Sequence, residues 1–343
     1  MSLANTLAEL IDTPSVTGDE EAIATAIERR LSALVAVERI GNSVVAGSLE
    51  SRQLVVLYGH TDTVPEQGNG RHRVEGNRMF GLGASDMKAG LAVMLRLLEE
   101  DHAVDLAGVF YDREEGPAAE NGLEAVLDGV PWLGDAALSI VLEPTDLRLE
   151  LGCNGVLNAE VLFSGHAAHS ARPWLGENAV TKAGSWLETL HRREPEAFTV
   201  ADLEFFEVFS VTRATGGIAN NVVPGTFTIN LNYRFPPVFD LDEAEARLRS
   251  VAAAADDVVI KDRAPAAGIP AGNASLDRLK MLVSGAVGPK QGWTDVARLS
   301  ARGIPAVNYG PGEVAQAHQA GESVALANLD VAHGVLAAFL GDH

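Results

Sequence analysis

A chain of 343 residues is too long for a typical single domain of roughly 100–200 residues, which makes two domains the starting expectation. With 47% hydrophobic residues it has ample material for real cores and does not read as a disordered chain. A formal net charge of −21 without any Lys/Arg cluster argues against nucleic acid and against an anionic membrane surface as partners.

The N-terminal stretch "MSLANTLAELIDTPSVTGDEEAIATAIERRL" reads as two amphipathic helical segments about a turn. It lacks the basic-then-apolar pattern of a signal peptide. No later stretch approaches the ~20 apolar residues of a membrane helix. The one cysteine, Cys153, can form no disulfide within the chain, so a reducing cytoplasm is the expected location.

Further along, helices and apolar strands alternate. A helix around Glu20–Val35 precedes strands in "NSVVAGSL" and "QLVVLYGH". "SDMKAGLAVMLRLLEE" reads as a long apolar-faced helix with Ser85 as its N-cap. A strand in "DLAGVFYDREEG", a helix near Gly122–Leu127 and a strand in "ALSIVLEPT" continue the series. Continuously apolar strands alternating with helices predict an α/β fold with a mainly parallel sheet.

After "LELGCNGVLNAEVLFSG" the rhythm changes. "LNAEVLFSG", "EFFEVFSVTRATGG" and "GTFTINLNYRFPP" alternate like half-exposed strands, and "DDVVIKDRAP" reads as another strand. A long helix is expected from Asn178, and another in "DLDEAEARLRSVAAAA" with Asp240 as its cap. The order suggests an α+β two-layer sandwich inserted at residues 156–268, between two parts of the first domain, 1–155 and 269–343. The α/β pattern returns with a helix from about Ser275, the strand-like "GIPAVNYGPG" and a terminal helix.

Ligands of parallel α/β sheets bind beyond the carboxyl ends of the strands, where the loops converge. His60 and Asp62 follow one apolar strand on the same face. Asp86 lies in "GLGASDMKAG", Glu114 and Glu115 follow the next strand, Glu143 ends another, and His318 falls in the loop before the last helix. Singly, each has an ordinary explanation: a strand-end histidine, an acid favoured by a helix dipole, a solvated charge run, a loop residue, a surface histidine. Together the five coincidences favour a metal site, because converging carboxylates repel unless cations lie among them.

Nitrogen and oxygen donors without a thiolate suit Zn²⁺, with Co²⁺ or Mn²⁺ at similar sites. The surplus of donors argues for two ions sharing a carboxylate, and Asp86 is the natural bridge. Of the adjacent glutamates, one can ligate while the other takes a proton from the attacking water. Such a pairing suits hydrolysis of an amide or ester.

"GHTDTVP", "GLGASDMKAG", "EEG", "EPT" and "GPGEVAQAH" resemble, in order, the motifs of the co-catalytic di-zinc amidohydrolases related to aminoacylase and carboxypeptidase G2. "GHAAHSARPWLGENAV" and "GGIANNVVPG" resemble the lid motifs of that family, so the likeness spans essentially the whole chain. The resemblance implies two Zn²⁺ per subunit, one held by His60, Asp86 and Glu143 and the other by Asp86, Glu115 and His318. It makes Asp62 the residue that orients His60, and Glu114 the general base. A glutamate at position 143 places the chain with the deacylases, acting on a small N-acyl amino acid.

Through the H-x-x-x-P motif at His169–Pro173, the resemblance makes His169 the stabiliser of the oxyanion, reaching into the partner's site of a homodimer. His166 lacks the proline spacing and is read as structural. "LELGCNGVLNAEVLFSGHAAHSARPWLGEN" is similar to deacylases whose substrate carries carboxylates at both ends, for which Arg172, Arg234 and the amide of Asn221 are the candidate contacts. Cys153 and Asn154 stand where other members have a basic residue. "GWTDVARL" resembles the loop at the acyl end of the substrate, making Gly292 and Thr294 candidates beside an unusual Trp293.

Overall fold

The computed structural model describes residues 1–50, 53–283 and 285–341, and the chain divides into two compact units. The first comprises Met1–Leu151, Ile269–Gly288 and Arg298–His343; the second comprises Gly152–Gly268 and Pro289–Ala297. Compared with the expected insert at 156–268, the second unit starts four residues earlier and also takes in the segment around Gly292 and Thr294.

Among the described residues, the first unit is built on an eight-stranded sheet. Its order is Ala36–Ile40, Ser43–Ser48, Asp105–Tyr111, Leu54–His60, Leu138–Val141, Ala306–Asn308, Leu149–Leu151 and Val287–Pro289. Four central strands run parallel: Leu54–His60 pairs with Asp105–Tyr111 and with Leu138–Val141, and the last pairs with Ala306–Asn308. Leu54–His60 and Asp105–Tyr111 are buried at every position, as strands covered on both faces must be. Antiparallel pairs flank this centre. Only two residues separate Ala36–Ile40 from Ser43–Ser48, a connection too short for a parallel crossover.

Helix Lys88–Leu98 packs against the parallel centre, with ten of its eleven residues buried. A Cβ on Gly90 would stand 2.5 Å from the carbonyl oxygen of Leu142, so only glycine lets the helix come so close to the chain leading to Glu143. This helix starts later than expected. Met87, not Ser85, is its N-cap, and no side chain caps it. The Ser85 hydroxyl is engaged elsewhere, donating to Ser323 O at 3.1 Å and accepting from the Glu313 amide at 3.0 Å.

The second unit carries a five-stranded antiparallel sheet in the order Glu196–Val200, Leu203–Gly216, Thr226–Phe235, Gly155–Ser164 and Asp257–Ala264. Burial alternates along Gly155–Ser164 and Thr226–Phe235, and Leu157, Val161, Ile229 and Leu231 join Trp186 and Leu248 of the covering helices in one core. Asp240 caps helix Leu241–Val251 in a reciprocal box with Glu243, as its position predicts. Asn178 caps as well, but its helix is two short ones, Ala179–Lys182 and Gly184–His191, broken at Ala183 just before the weak helix former Gly184. The hairpin joining Glu196–Val200 to its neighbour turns at Ala201 and Asp202, both at positive φ. Neither residue announces such a turn, so the sequence gives no sign of this strand. No helix among the described residues is long and apolar enough to cross a membrane.

Candidate metal centre

All the donor residues lie in the first unit, on strand ends and the turns that follow them. His60 closes strand Leu54–His60 and is 1% exposed. Its Nδ1 lies 3.0 Å from the backbone carbonyl oxygen of Asp62, which requires an N–H there, so that in the neutral ring the lone pair is on Nε2. That Nε2 stands 3.2 Å from Asp86 Oδ1 and 4.0 Å from Glu143 Oε1. The other Asp86 oxygen, Oδ2, is 3.5 Å from His318 Nε2, which in turn is 2.8 Å from Glu115 Oε1. The two oxygens of Asp86 therefore face two different histidines, the geometry required of a bridging carboxylate.

Three donor sets have their ligand atoms within 4.8 Å of one another: His60–Asp86–Glu143, Asp86–Glu115–His318 and His60–Glu114–Glu115. The first two are the sets expected from the sequence. The third places the Glu114 carboxylate beside both, so five carboxylates, counting Asp62, surround two imidazoles. Burial by itself depresses the pKa of His60, yet Asp62 and Asp86, with Glu143 and Glu114 further off, carry it well above its ordinary value. Burial, reinforced by Asp86 and opposed by His60 and His318, raises that of Glu115. A cluster that strains both to hold protons and to shed negative charge fits divalent cations: two would offset four of the five carboxylate charges. The donor chemistry is all nitrogen and oxygen, within the range Zn²⁺ accepts.

Local folding explains the placements. Asp62 is completely buried, and its carboxylate accepts the amides of Glu114 at 2.9 Å and Glu115 at 3.0 Å and the Thr17 hydroxyl at 2.9 Å. Burial opposes its ionisation, but His60 and these two amides hold its pKa below the usual range. Its carboxylate stays 3.5 Å from His60 Nδ1, so the closer hold on the ring comes from the Asp62 carbonyl. The Asp62 side chain chiefly shapes the Glu114–Glu115 turn. Arg113, just before that turn, and His318 itself both sit at φ near +60°, conformations that non-glycine residues adopt at a cost of roughly 1–3 kcal/mol and that cluster at functional sites.

Glu143 is presented by a loop that interlocks with residues 310–312. Thr145 N donates to Gly312 O, and the Thr145 hydroxyl exchanges hydrogen bonds with Gly310. A Cβ on Gly312 would meet the Ser85 carbonyl oxygen at 2.2 Å, so this loop and the Asp86 turn touch through their backbones. The His318 loop is held by Gln67, whose amide donates to His318 O, and Asn69, whose amide donates to Gln319 O. The flanks of Thr17, Gln67, Asn69 and Glu322 carry no metal-site signal in the sequence, and only contacts across more than forty residues reveal them.

The remaining candidates lie in the second unit. His169 is exposed, and its Nδ1 accepts the Ala171 amide at 3.0 Å, which puts the proton of the neutral ring on Nε2. Its short strand pairs with Val222–Val223, and the Ser170 amide donates to the carbonyl of Asn221. Arg172 is exposed and donates its amide to His169 O. Arg234 is half-buried; its Nε donates to Asn232 Oδ1 at 3.1 Å, and burial lowers its pKa. Among the described residues no carboxylate lies within 4 Å of its guanidinium. Gly292 is exposed, whereas Thr294 is buried with its hydroxyl unpartnered among the described residues. Cys153 and Asn154 are buried, the Asn154 amide donating to Phe206 O and Gln291 Oε1. Trp293 donates to Pro265 O, and His166 pairs through its backbone with Glu177.

Residues 56–342 match peptidase family M20/M25/M40. A Mycobacterium tuberculosis protein provisionally named as a succinyl-diaminopimelate desuccinylase is 39% identical over 346 residues, covering 97% of this chain and 96% of its own. The succinyl-diaminopimelate desuccinylase of Corynebacterium glutamicum is 36% identical over 360 residues, covering 97% and 94%. Among solved structures, aminopeptidase PepT from Bacillus cereus superposes with a TM-score of 0.79 at 19% identity, covering 98% of this chain and 97% of its own.

Proposed function

This chain belongs to peptidase family M20/M25/M40 and is a metal-dependent hydrolase of amide bonds, and we propose that its substrate is N-succinyl-LL-2,6-diaminopimelate, cleaved to succinate and LL-2,6-diaminopimelate on the route to lysine and cell-wall precursors. The observation that carries the chemistry is the Asp86 carboxylate, whose two oxygens face His60 and His318 at 3.2 and 3.5 Å, with Glu114 beside them. The proposed occupants are two Zn²⁺ per subunit, one at His60, Asp86 and Glu143 and one at Asp86, Glu115 and His318, with Co²⁺ or Mn²⁺ able to substitute. When bound, the cations supply Lewis acidity, polarising the scissile carbonyl and acidifying the attacking water.

The protein's own groups do the rest. Glu114 takes the proton of the attacking water and returns it to the departing amine nitrogen. Asp62 holds the turn that aims it, through the amides of Glu114 and Glu115. His169 donates its Nε2 proton to the developing oxyanion, supplied by the second subunit of a cytoplasmic homodimer. Arg172, Arg234 and Asn221 are the proposed contacts for the substrate carboxylates, and Gly292 and Thr294 for its succinyl end. Arg234 supports this assignment, since among the described residues its half-buried guanidinium forms no ion pair within 4 Å, although Asp262 acts on it from further off.

The deciding experiment compares kcat/KM for succinyl-diaminopimelate and acetylornithine. The expected preference for the succinyl substrate is on the order of 100-fold or more, since a site built for a second carboxylate rejects an analogue lacking it. A preference for acetylornithine would replace the assignment with a deacetylase on the same scaffold.

A further inference from the structure

The loop that carries His318 also carries Glu322, a residue 2% exposed that belongs to none of the three donor sets. Its Oε1 accepts the amides of Ser85 at 2.8 Å and Asp86 at 2.9 Å, and its Oε2 accepts the amide of Gly83 at 2.9 Å. Its backbone carbonyl accepts the Gly81 amide at 3.1 Å. One residue therefore grips the turn 81–86 with four hydrogen bonds. The Ser85 hydroxyl extends the same clasp, bonding to Ser323 O and to the Glu313 amide.

We propose that Glu322 is a positioning residue for the metal centre, fixing the spacing between the turn that presents Asp86 and the loop that presents His318. The inference rests on the metal-centre reading above. His318 needs such a fixture because its side chain is 54% exposed and so has little packing of its own. Glu322 stands four residues from His318 and binds the backbone of Asp86 directly, so it ties together two of the three donors in the Asp86–Glu115–His318 set. A carboxylate is the group this clasp requires. Three N–H donors converge on two acceptor oxygens, and an amide of the same size would turn an NH₂ against at least one of them. Burial pushes the pKa of the Glu322 carboxyl up to about 7, and the three amides oppose this by favouring its charged form.

The test titrates metal-free parent and Glu322→Gln protein with Co²⁺, following visible absorption and bound metal. In Glu322→Gln, one of the two binding steps is expected to weaken by about 10–100-fold, the range for a lost partner of a ligand. The Co²⁺ spectrum should change with it, and kcat should fall by a similar factor while KM stays within about twofold. A folded variant whose thermal midpoint drops while its Co²⁺ affinities and spectrum match the parent overturns the proposal, leaving Glu322 a purely structural residue. If Glu322→Gln does not fold, the decision passes to Glu322→Asp, which keeps the charge but cannot reach all three amides; parent-like Co²⁺ affinities and spectrum there also overturn it. The parent titration judges the centre itself: failure of the parent to take up Co²⁺ sinks the metal reading, whereas equal uptake by parent and variant sinks only the role of Glu322.

Discussion

Glu114 and Glu115 are neighbours in sequence, and their side chains meet different partners. Glu115 Oε1 lies 2.8 Å from His318, while the Glu114 carboxylate stands near His60 without entering either of the two donor sets that share Asp86. Both backbones hang from the buried Asp62 carboxylate, so the difference arises from side chains leaving one rigid turn in different directions. Glu114→Gln keeps the turn and the shape but removes the proposed proton acceptor. It is expected to retain parent-like metal content, measured by elemental analysis, and to lose kcat by a factor of about 10²–10⁴. Full activity in that variant would show that another group takes the proton. His60, Asp86, Glu115 and Glu143 were legible in the sequence because polar residues at the ends of apolar runs are conspicuous. The partners that aim them were not, because Asp62 holding the Glu114–Glu115 turn is a contact across about fifty residues.

At the scale of elements, strand Leu203–Gly216 of the second unit shows what alternation conceals. Phe205, Glu207 and Phe209 share one face, so a glutamate takes a core-facing position. Its side chain is fully buried and accepts Tyr233 Oη at 2.6 Å, Arg247 Nε at 2.7 Å and Nη2 at 3.0 Å, and Arg193 Nη2 at 2.9 Å. Burial pushes its pKa upward, but Arg247, Tyr233 and Arg193 together hold it below the ordinary value. A carboxyl depressed in the folded state contributes stability above its unfolded pKa of about 4.3, and that stability is lost as pH falls through the folded value. Glu207→Gln is therefore expected to lower stability at pH 7 by about 2 kcal/mol, less than a fully buried pair because both arginines are 35% exposed. Urea unfolding at pH 7 and pH 3 checks this: the gap between parent and variant should narrow at the lower pH. A constant gap would mean that the loss comes from packing rather than charge.

For the whole molecule, the proposed action of His169 depends on a second subunit. Light scattering should give twice the chain mass, and His169→Ala should lower kcat by about 10²–10³ with metal content unchanged. Mixing inactive His169→Ala and Glu114→Gln proteins should restore activity, since a mixed dimer holds one site with both groups intact. A fully active monomer, or loss of metal in His169→Ala, would remove this role. Composition and periodicity alone determined a two-unit α/β protein with an α+β insert, because burial imposes its period on any strand or helix regardless of partners. Polar residues at strand ends marked the candidate donors, since loops at the carboxyl edge of a parallel sheet converge, and the motif resemblance divided them into two sets. Tertiary structure alone decided which atoms meet: that the Asp86 carboxylate faces His318, and that Glu322 clasps the Asp86 turn. Hydrogen bonds between segments hundreds of residues apart leave no periodic trace in the chain, and only the folded backbone brings their donors and acceptors within reach.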